Sequence, residues 1–298
     1  MIGTITTSML ASIQPFLSLD ASIRERPDYL ECPIQNPTEG LQANAYYFGN
    51  YEWAEEYLTY CHRSEAFRSR WTAALKDWNN KIVVDIGCGP GNIFATLGGK
   101  PRLLIGVDVA PTSLSLAKKQ GYLPLLADAT QLPLISEFAD IVVLNAALHH
   151  CEDMEAVLRE AARLVKPGGL LVTDHDPQFS AWNYKGPAMW MWNARLVLYK
   201  LLKKGFHKAD DQQQWALASE IHHKPGHGVT TEFFRSILVP EGFTVNVYPH
   251  NHDLGAEVLQ GKFGKAELKY RIGNLLSGRN PNRKENALTL MCVAKKAV

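Results

Sequence analysis

The middle of the chain alternates between brief apolar runs and amphipathic stripes. Residues 81–86 are a short β-branched run closed by Gly87, which reads as a buried parallel strand rather than a helix. Similar runs follow at 102–108, 122–126, 139–144 and 170–173. Between them lie a short helical segment at 111–120, stopped by Gly121, and a stripe of Val157, Leu158, Ala161, Leu164 and Val165 that Pro167-Gly168-Gly169 terminates. Thr230 or Thr231 can then cap a helix whose buried side is Phe233, Phe234, Ile237 and Leu238, and strands are expected at 243–248 and 287–294. This alternation predicts an α/β chain with a doubly wound, mostly parallel sheet.

Other segments lack that rhythm. Residues 24–41, punctuated by Pro27, Pro33, Pro37 and Gly40, read as a loop. Trp53 and Tyr57, then Phe67, Trp71, Ala74, Leu75 and Trp78, recur at helical spacing, whereas Tyr46, Tyr47 and Phe48 cluster beside Gly49 in a stretch without helical pattern. Some fifty residues separate Asp176 from Thr230, carrying Trp182, Tyr184, Trp190, Trp192, Tyr199 and Trp215. Within them, 189–208 interleaves aromatic and aliphatic residues with Arg195, Lys200, Lys203, Lys204 and Lys208, as an interfacial helix would, although a helix with its lysines in water is the plainer reading.

The chemistry sits where the runs end. Asp85-Ile86-Gly87-Cys88-Gly89-Pro90-Gly91-Asn92 brings bare backbone amides to a strand-to-helix turn, where a ligand can approach closely. It is not a dinucleotide fingerprint: Asn92 stands where the third glycine of G-x-G-x-x-G belongs, and that glycine comes early, at Gly91. The next runs end at Asp108, at Ala127-Asp128-Ala129 and at Asn145, a row of polar residues at the carboxyl edge where open α/β sheets bind ligands.

This series resembles the class I S-adenosylmethionine-dependent methyltransferases over roughly residues 81–176, about a third of the chain. The resemblance implies a Rossmann-like, seven-stranded sheet whose last strand is antiparallel, with S-adenosyl-L-methionine held by Asp85, Gly87, Cys88, Gly89, Gly91, Asp108, Val109, Asp128, Ala129 and Asn145. Asp108 would accept hydrogen bonds from the ribose hydroxyls, and Asp128 would lie beside the adenine amino group. Residues 1–80 then supply a loop and cover helices, and 81–298 the core, with a lid insertion at 177–229 and a second insertion at 254–286.

Composition narrows the acceptor. The 31 basic and 30 acidic residues leave a net charge of +1, which offers no general attraction to a nucleic-acid backbone. Cysteines at 32, 61, 88, 151 and 292 form no C-x-x-C pair and suggest reduced thiols in a cytoplasmic protein. No leader pattern and no run of about 18 apolar residues is evident, so the chain reads as soluble, with membrane contact a lesser alternative. The aromatic lid favours a small flat or apolar acceptor, with Tyr46, Tyr47, Trp182, Trp190 and His223 as pocket candidates.

Where the acceptor must lose a proton, histidine is the natural base. His175, between two acids, is the best motivated, with His149, His150 and His227 as further candidates. Asp174, His175 and Asp176 with a lid histidine could offer metal ligands, but their spacing is not diagnostic, and no metal is expected. The expectation is O- or N-methylation of a small molecule. The alternatives are C-methylation of a similar acceptor, or a cofactor-binding interaction protein without methyl transfer.

Overall fold

The computed structural model describes residues 8–52, 54, 64–202 and 210–298. Trp53, Tyr57, Cys61, Lys203, Lys204 and Lys208 lie outside the described residues, as do the side chains of Tyr199 and Lys200.

In chain order the elements are α1 (Met9–Ile13), β1 (Arg24–Glu25), β2 (Leu30–Glu31), α2 (Glu39–Phe48), α3 (Glu65–Leu75), β3 (Ile82–Ile86), α4 (Asn92–Leu97), β4 (Leu103–Asp108), α5 (Pro111–Gln120), β5 (Leu123–Leu126) and β6 (Ala139–Asn145). They continue with α6 (Met154–Leu164), β7 (Val165–Pro177), α7 (Phe179–Trp182), α8 (Pro187–Leu202), α9 (Asp210–Ser219), α10 (Thr231–Leu238), β8 (Phe243–His250), α11 (Leu268–Leu276) and β9 (Thr289–Lys296).

The β-branched run of β3 is buried along its whole length because it lies mid-sheet, parallel to β4 on one side and β6 on the other. The sheet order is β1-β2-β5-β4-β3-β6-β7-β9-β8, with β9 antiparallel to both β7 and β8. Alternate residues face opposite layers, as the pleat requires. Val84, Ile105, Val142 and Leu171 pack with α6 and α10, whereas Val83, Leu104, Val143 and Val172 pack with Phe67, Trp71, Ala74 and Leu75 of α3 and with Leu114 and Ala117 of α5. Both layers are apolar, which is why the strands read as continuous rather than alternating runs.

Two local expectations are corrected. The segment 24–41 is not wholly a loop: β1 and β2, two residues each, pair as an antiparallel hairpin that extends the expected seven strands, β2 lying parallel to β5 through Leu30 and Leu125. Tyr46, Tyr47 and Phe48 are helical, not in an irregular stretch, because Thr38 caps α2 by accepting from Leu41 N at 3.2 Å. Asn44 of α2 donates to His150 O at 2.9 Å, which fixes this helix over the turn after β6. Helix α9 packs on α2, with Trp215 4.7 Å from Tyr46 between ring centroids. Among the described residues, no helix is long and apolar enough to cross a membrane.

Candidate active site

At the carboxyl end of β3 the chain turns on glycines in the left-handed region. Gly87 has φ 69°, and a Cβ there would come 2.7 Å from Ala147 Cβ. Asp108, at the end of β4, accepts from Gly89 N through Oδ2 at 2.8 Å and from Ala110 N through Oδ1 at 2.9 Å. Burial pushes this carboxyl up from its ordinary value, and these backbone donors oppose the shift. A cavity of about 400 Å³ opens over the loop, lined by Gly87, Gly89, Asp108, Val109, Asp128, Ala129 and Asn145.

Three of the expected cofactor residues do not line it. Asp85 points into the sheet layer, where Tyr122 Oη donates to Oδ2 at 2.7 Å, and burial pushes its pKa up to about 7. The Cys88 thiol is buried against Gly106, so only its backbone belongs to the loop. Gly91 has φ 92° and serves as the N-terminal cap of α4.

A second cavity, of about 500 Å³, meets the first, and the two share Phe48, Ala146 and His150. Its wall includes Tyr47, Phe67, Arg70, His149, His175, Trp182, Glu220, His223 and Tyr270. Three candidates fall outside it. Tyr46 is half-exposed and packs at a tilt against Trp215, Trp190 of α8 is 83% exposed, and His227 is an exposed loop residue facing His222. Sequence reasoning missed Arg70, Glu220, His252 and Tyr270 as wall residues.

Residues 84–173 match the family described as "Methyltransferase domain". The chain carries a class I S-adenosylmethionine-dependent methyltransferase domain. S-adenosylmethionine is the cofactor of that family. The chain is 33% identical over 98 residues to a tRNA (carboxymethyluridine(34)-5-O)-methyltransferase of Arabidopsis thaliana, covering 32% of this chain and 24% of that one. It is 28% identical over 159 residues to a ubiquinone biosynthesis O-methyltransferase of Hydrogenovibrio crunogenus, covering 50% of this chain and 63% of that one. It therefore spans less than two thirds of either relative. Its fold is similar to that of geranyl diphosphate C-methyltransferase from Streptomyces coelicolor, with a TM-score of 0.55, 12% identity, and coverage of 89% of this chain and 100% of that one. These relatives act on different acceptors, so their names do not fix one for this chain.

Around the second cavity, hydrogen bonds assign the histidine tautomers. His175 Nε2 lies 3.3 Å from Arg70 Nη2, which can only donate, so Nε2 accepts and Nδ1–H donates to Asn145 Oδ1 at 2.9 Å. With both nitrogens engaged, His175 has no lone pair left for a substrate proton, contrary to its ranking as the foremost base. Its acid neighbour Asp174 is fully buried, paired with Arg70 Nε at 2.9 Å and with His250 Nε2 at 2.7 Å.

His149 and His150 differ from it. Asp176 Oδ1 accepts from His149 N at 3.1 Å and from Nδ1 at 2.9 Å, which leaves His149 Nε2 as an acceptor. His150 Nδ1 donates to Ser219 O at 2.8 Å, which likewise leaves Nε2 with its lone pair. Burial lowers both histidines to about 4, so both rings are neutral near pH 7. His150 alone among these histidines lines both cavities.

Proposed function

We propose that this chain transfers a methyl group from S-adenosylmethionine to an oxygen or nitrogen of a small aromatic or otherwise apolar molecule. The observation that carries this reading is the meeting of two cavities at Phe48, Ala146 and His150, one over the glycine loop and one walled by aromatic rings. The residues present fit the cofactor, since bare glycine backbone and a half-buried carboxylate face the same space. Bound there, S-adenosylmethionine supplies an activated methyl group on its sulfonium sulfur. Asp108 is proposed to accept from the ribose hydroxyls and Asp128 to lie beside the adenine amino group, with Gly87 and Gly89 giving the backbone room to approach.

The second cavity takes the acceptor. Tyr47, Phe67 and Trp182 provide apolar walls, and α2 with α9 covers the junction and excludes water. Positioning is the larger share of the work, because holding two reactants in line replaces a bimolecular encounter. His150 Nε2, held neutral, takes the acceptor's proton, and the Ser219 carbonyl keeps its tautomer correct. A cavity of about 500 Å³ suits a small molecule, which favours that class over the tRNA named for one relative. The described cysteines are free thiols, which supports a reducing, cytoplasmic setting.

The test is turnover against a panel of phenols, catechols and aromatic amines, read as a mass gain of one methylene in the acceptor. His150→Gln is expected to lower kcat by about 10² or more while the dissociation constant for S-adenosylhomocysteine changes little. Full activity in that variant removes His150 from the mechanism. Binding of the cofactor with no transfer to any acceptor favours the interaction-protein alternative.

A further inference from the structure

The acceptor cavity contains a second set of groups that proton transfer does not use. His149, Glu220 and His223 each offer a ligand atom, and the three atoms lie within 4.8 Å of one another. His149 Nε2 is 3.9 Å from Glu220 Oε2, and His223 Nδ1 is 2.8 Å from the same oxygen. We propose that His149, Glu220 and His223 form a binding site for a divalent first-row transition-metal ion, of the zinc type, in the wall of the second cavity.

Four observations support it. The donor set, two imidazoles and one carboxylate, is the one that suits such ions, with positions left open toward the cavity for a hydroxyl or carboxylate of a small ligand. Four-coordinate sites with bonds of about 2.1 Å hold ligand atoms about 3.3 Å apart, so the observed spacing closes with small side-chain rotations. Asp176 Oδ1 accepts from His149 Nδ1 at 2.9 Å, the carboxylate–histidine arrangement that orients a metal-bound imidazole through its far nitrogen. Among the described residues the buried His223 Nε2 and Asp176 Oδ2 have no hydrogen-bond partner, which marks the cluster as incompletely satisfied by these groups.

The site is also held in register. His150 Nδ1 donates to Ser219 O at 2.8 Å just before Glu220, and His222 N donates to His149 O at 2.9 Å just after it. The Trp182 ring meets the His223 ring edge to face at 4.3 Å. A cation would balance the Glu220 and Asp176 carboxylates, because the guanidinium in this cavity, Arg70, is committed to Asp174. An acceptor hydroxyl on the ion would be more acidic, so a weak base such as His150 would suffice. Metal binding itself does not depend on the methyl-transfer reading.

The experiment uses the full chain, stripped with a chelator and titrated with Zn²⁺ by calorimetry. Retained zinc is counted after gel filtration, and Co²⁺ is added in parallel as a visible-absorption probe. One zinc ion per chain is expected, with Glu220→Gln and His223→Ala each weakening binding at least about tenfold and abolishing the cobalt bands. His227→Ala, in the exposed neighbour pair, should bind zinc like the wild type. Binding of S-adenosylhomocysteine by each variant reports that it is folded, and a failure there concerns the cofactor site, not the metal. No retained zinc in the wild type, equal affinity in Glu220→Gln and His223→Ala, or loss only in His227→Ala overturns the proposal.

Discussion

Asp108→Ala separates a ligand-binding carboxylate from a purely structural one. In the wild type its two oxygens accept from Gly89 N at 2.8 Å and Ala110 N at 2.9 Å, while its remaining acceptor capacity faces the cavity over the glycine loop. Hydrogen bonds to a charged acceptor are worth about 1.5–3 kcal/mol each, so two from the ribose diol amount to about 3–6 kcal/mol. At about 1.4 kcal/mol per tenfold, S-adenosylhomocysteine should bind at least about 10²-fold more weakly. Stability should fall by less: two lost backbone bonds cost about 1 kcal/mol each, and removal of a half-buried carboxylate offsets part of that. The assay is calorimetric titration with S-adenosylhomocysteine beside NAD, with a thermal melt of the same samples. Asp108→Asn is the companion, because its amide oxygen can still accept from Ala110 N while its amide nitrogen opposes Gly89 N. If Asp108→Ala binds within about threefold of the wild type at an equal melting temperature, the ribose assignment is refuted. If the melting temperature collapses in both variants, Asp108 acts by shaping the loop.

Arg70→Met should cost about 3–5 kcal/mol in denaturant unfolding, since it leaves Asp174 buried without its cationic partner; a loss below about 1 kcal/mol would contradict the ion-pair reading. Asp85 gives a pH test, its pKa rising from 3.8 to about 7 on folding, mainly through burial. A folded pKa above the unfolded one adds stability that is fully present below pH 3.8 and lost as pH rises through about 7. Asp85→Asn should therefore gain on the wild type between pH 5 and pH 8, by an amount of order a few kcal/mol, and a constant difference across that window would show the carboxyl to be ionised in the fold throughout.

The frame of the site was legible because its chemistry is contiguous in the chain. Gly87, Gly89 and Asp108 follow directly from strands that announce themselves as apolar runs, and each contacts its cavity through backbone or a strand-end side chain. What local pattern does not set is the direction of a side chain. Asp85 looked like a cofactor ligand by spacing, yet the pleat sends it to Tyr122. The second cavity was less legible, since its walls come from α2, α3, the turn after β6, β7, the segment 177–229 and the segment before α11. Two signals were available. Arg70 falls three residues after Phe67 and four before Ala74, a cation on the buried stripe of α3, and such a residue demands a buried acid. Thr38-Glu39 was a capping signal that would have made Tyr46 and Tyr47 helical and placed them on different faces. Trp190 carried no such signal, because 189–208 interleaves apolar and basic residues without marking which face packs.

The end of β7 explains how one short segment lines the second cavity and reaches the edge of the first. Its pairing with β9 shifts register between Thr173 and Asp176, and His175 sits there at φ 65°, a left-handed conformation rare for a residue with a side chain. In an unbroken strand Asp174 and Asp176 would share a face. With the irregularity, Asp174 meets Arg70 and His250, while Asp176 turns beneath His149. His175 between them stacks on Phe67 at 5.4 Å and reaches Asn145 at the edge of the cavity over the glycine loop. The strained backbone is thus held by interactions on three sides, and it ties the wall of the second cavity to the strand end beside the glycine loop. Replacing His175 by glycine would relieve the backbone and remove both hydrogen bonds, so its effect on transfer exceeding its effect on stability would identify His175 as a positioning residue rather than a base.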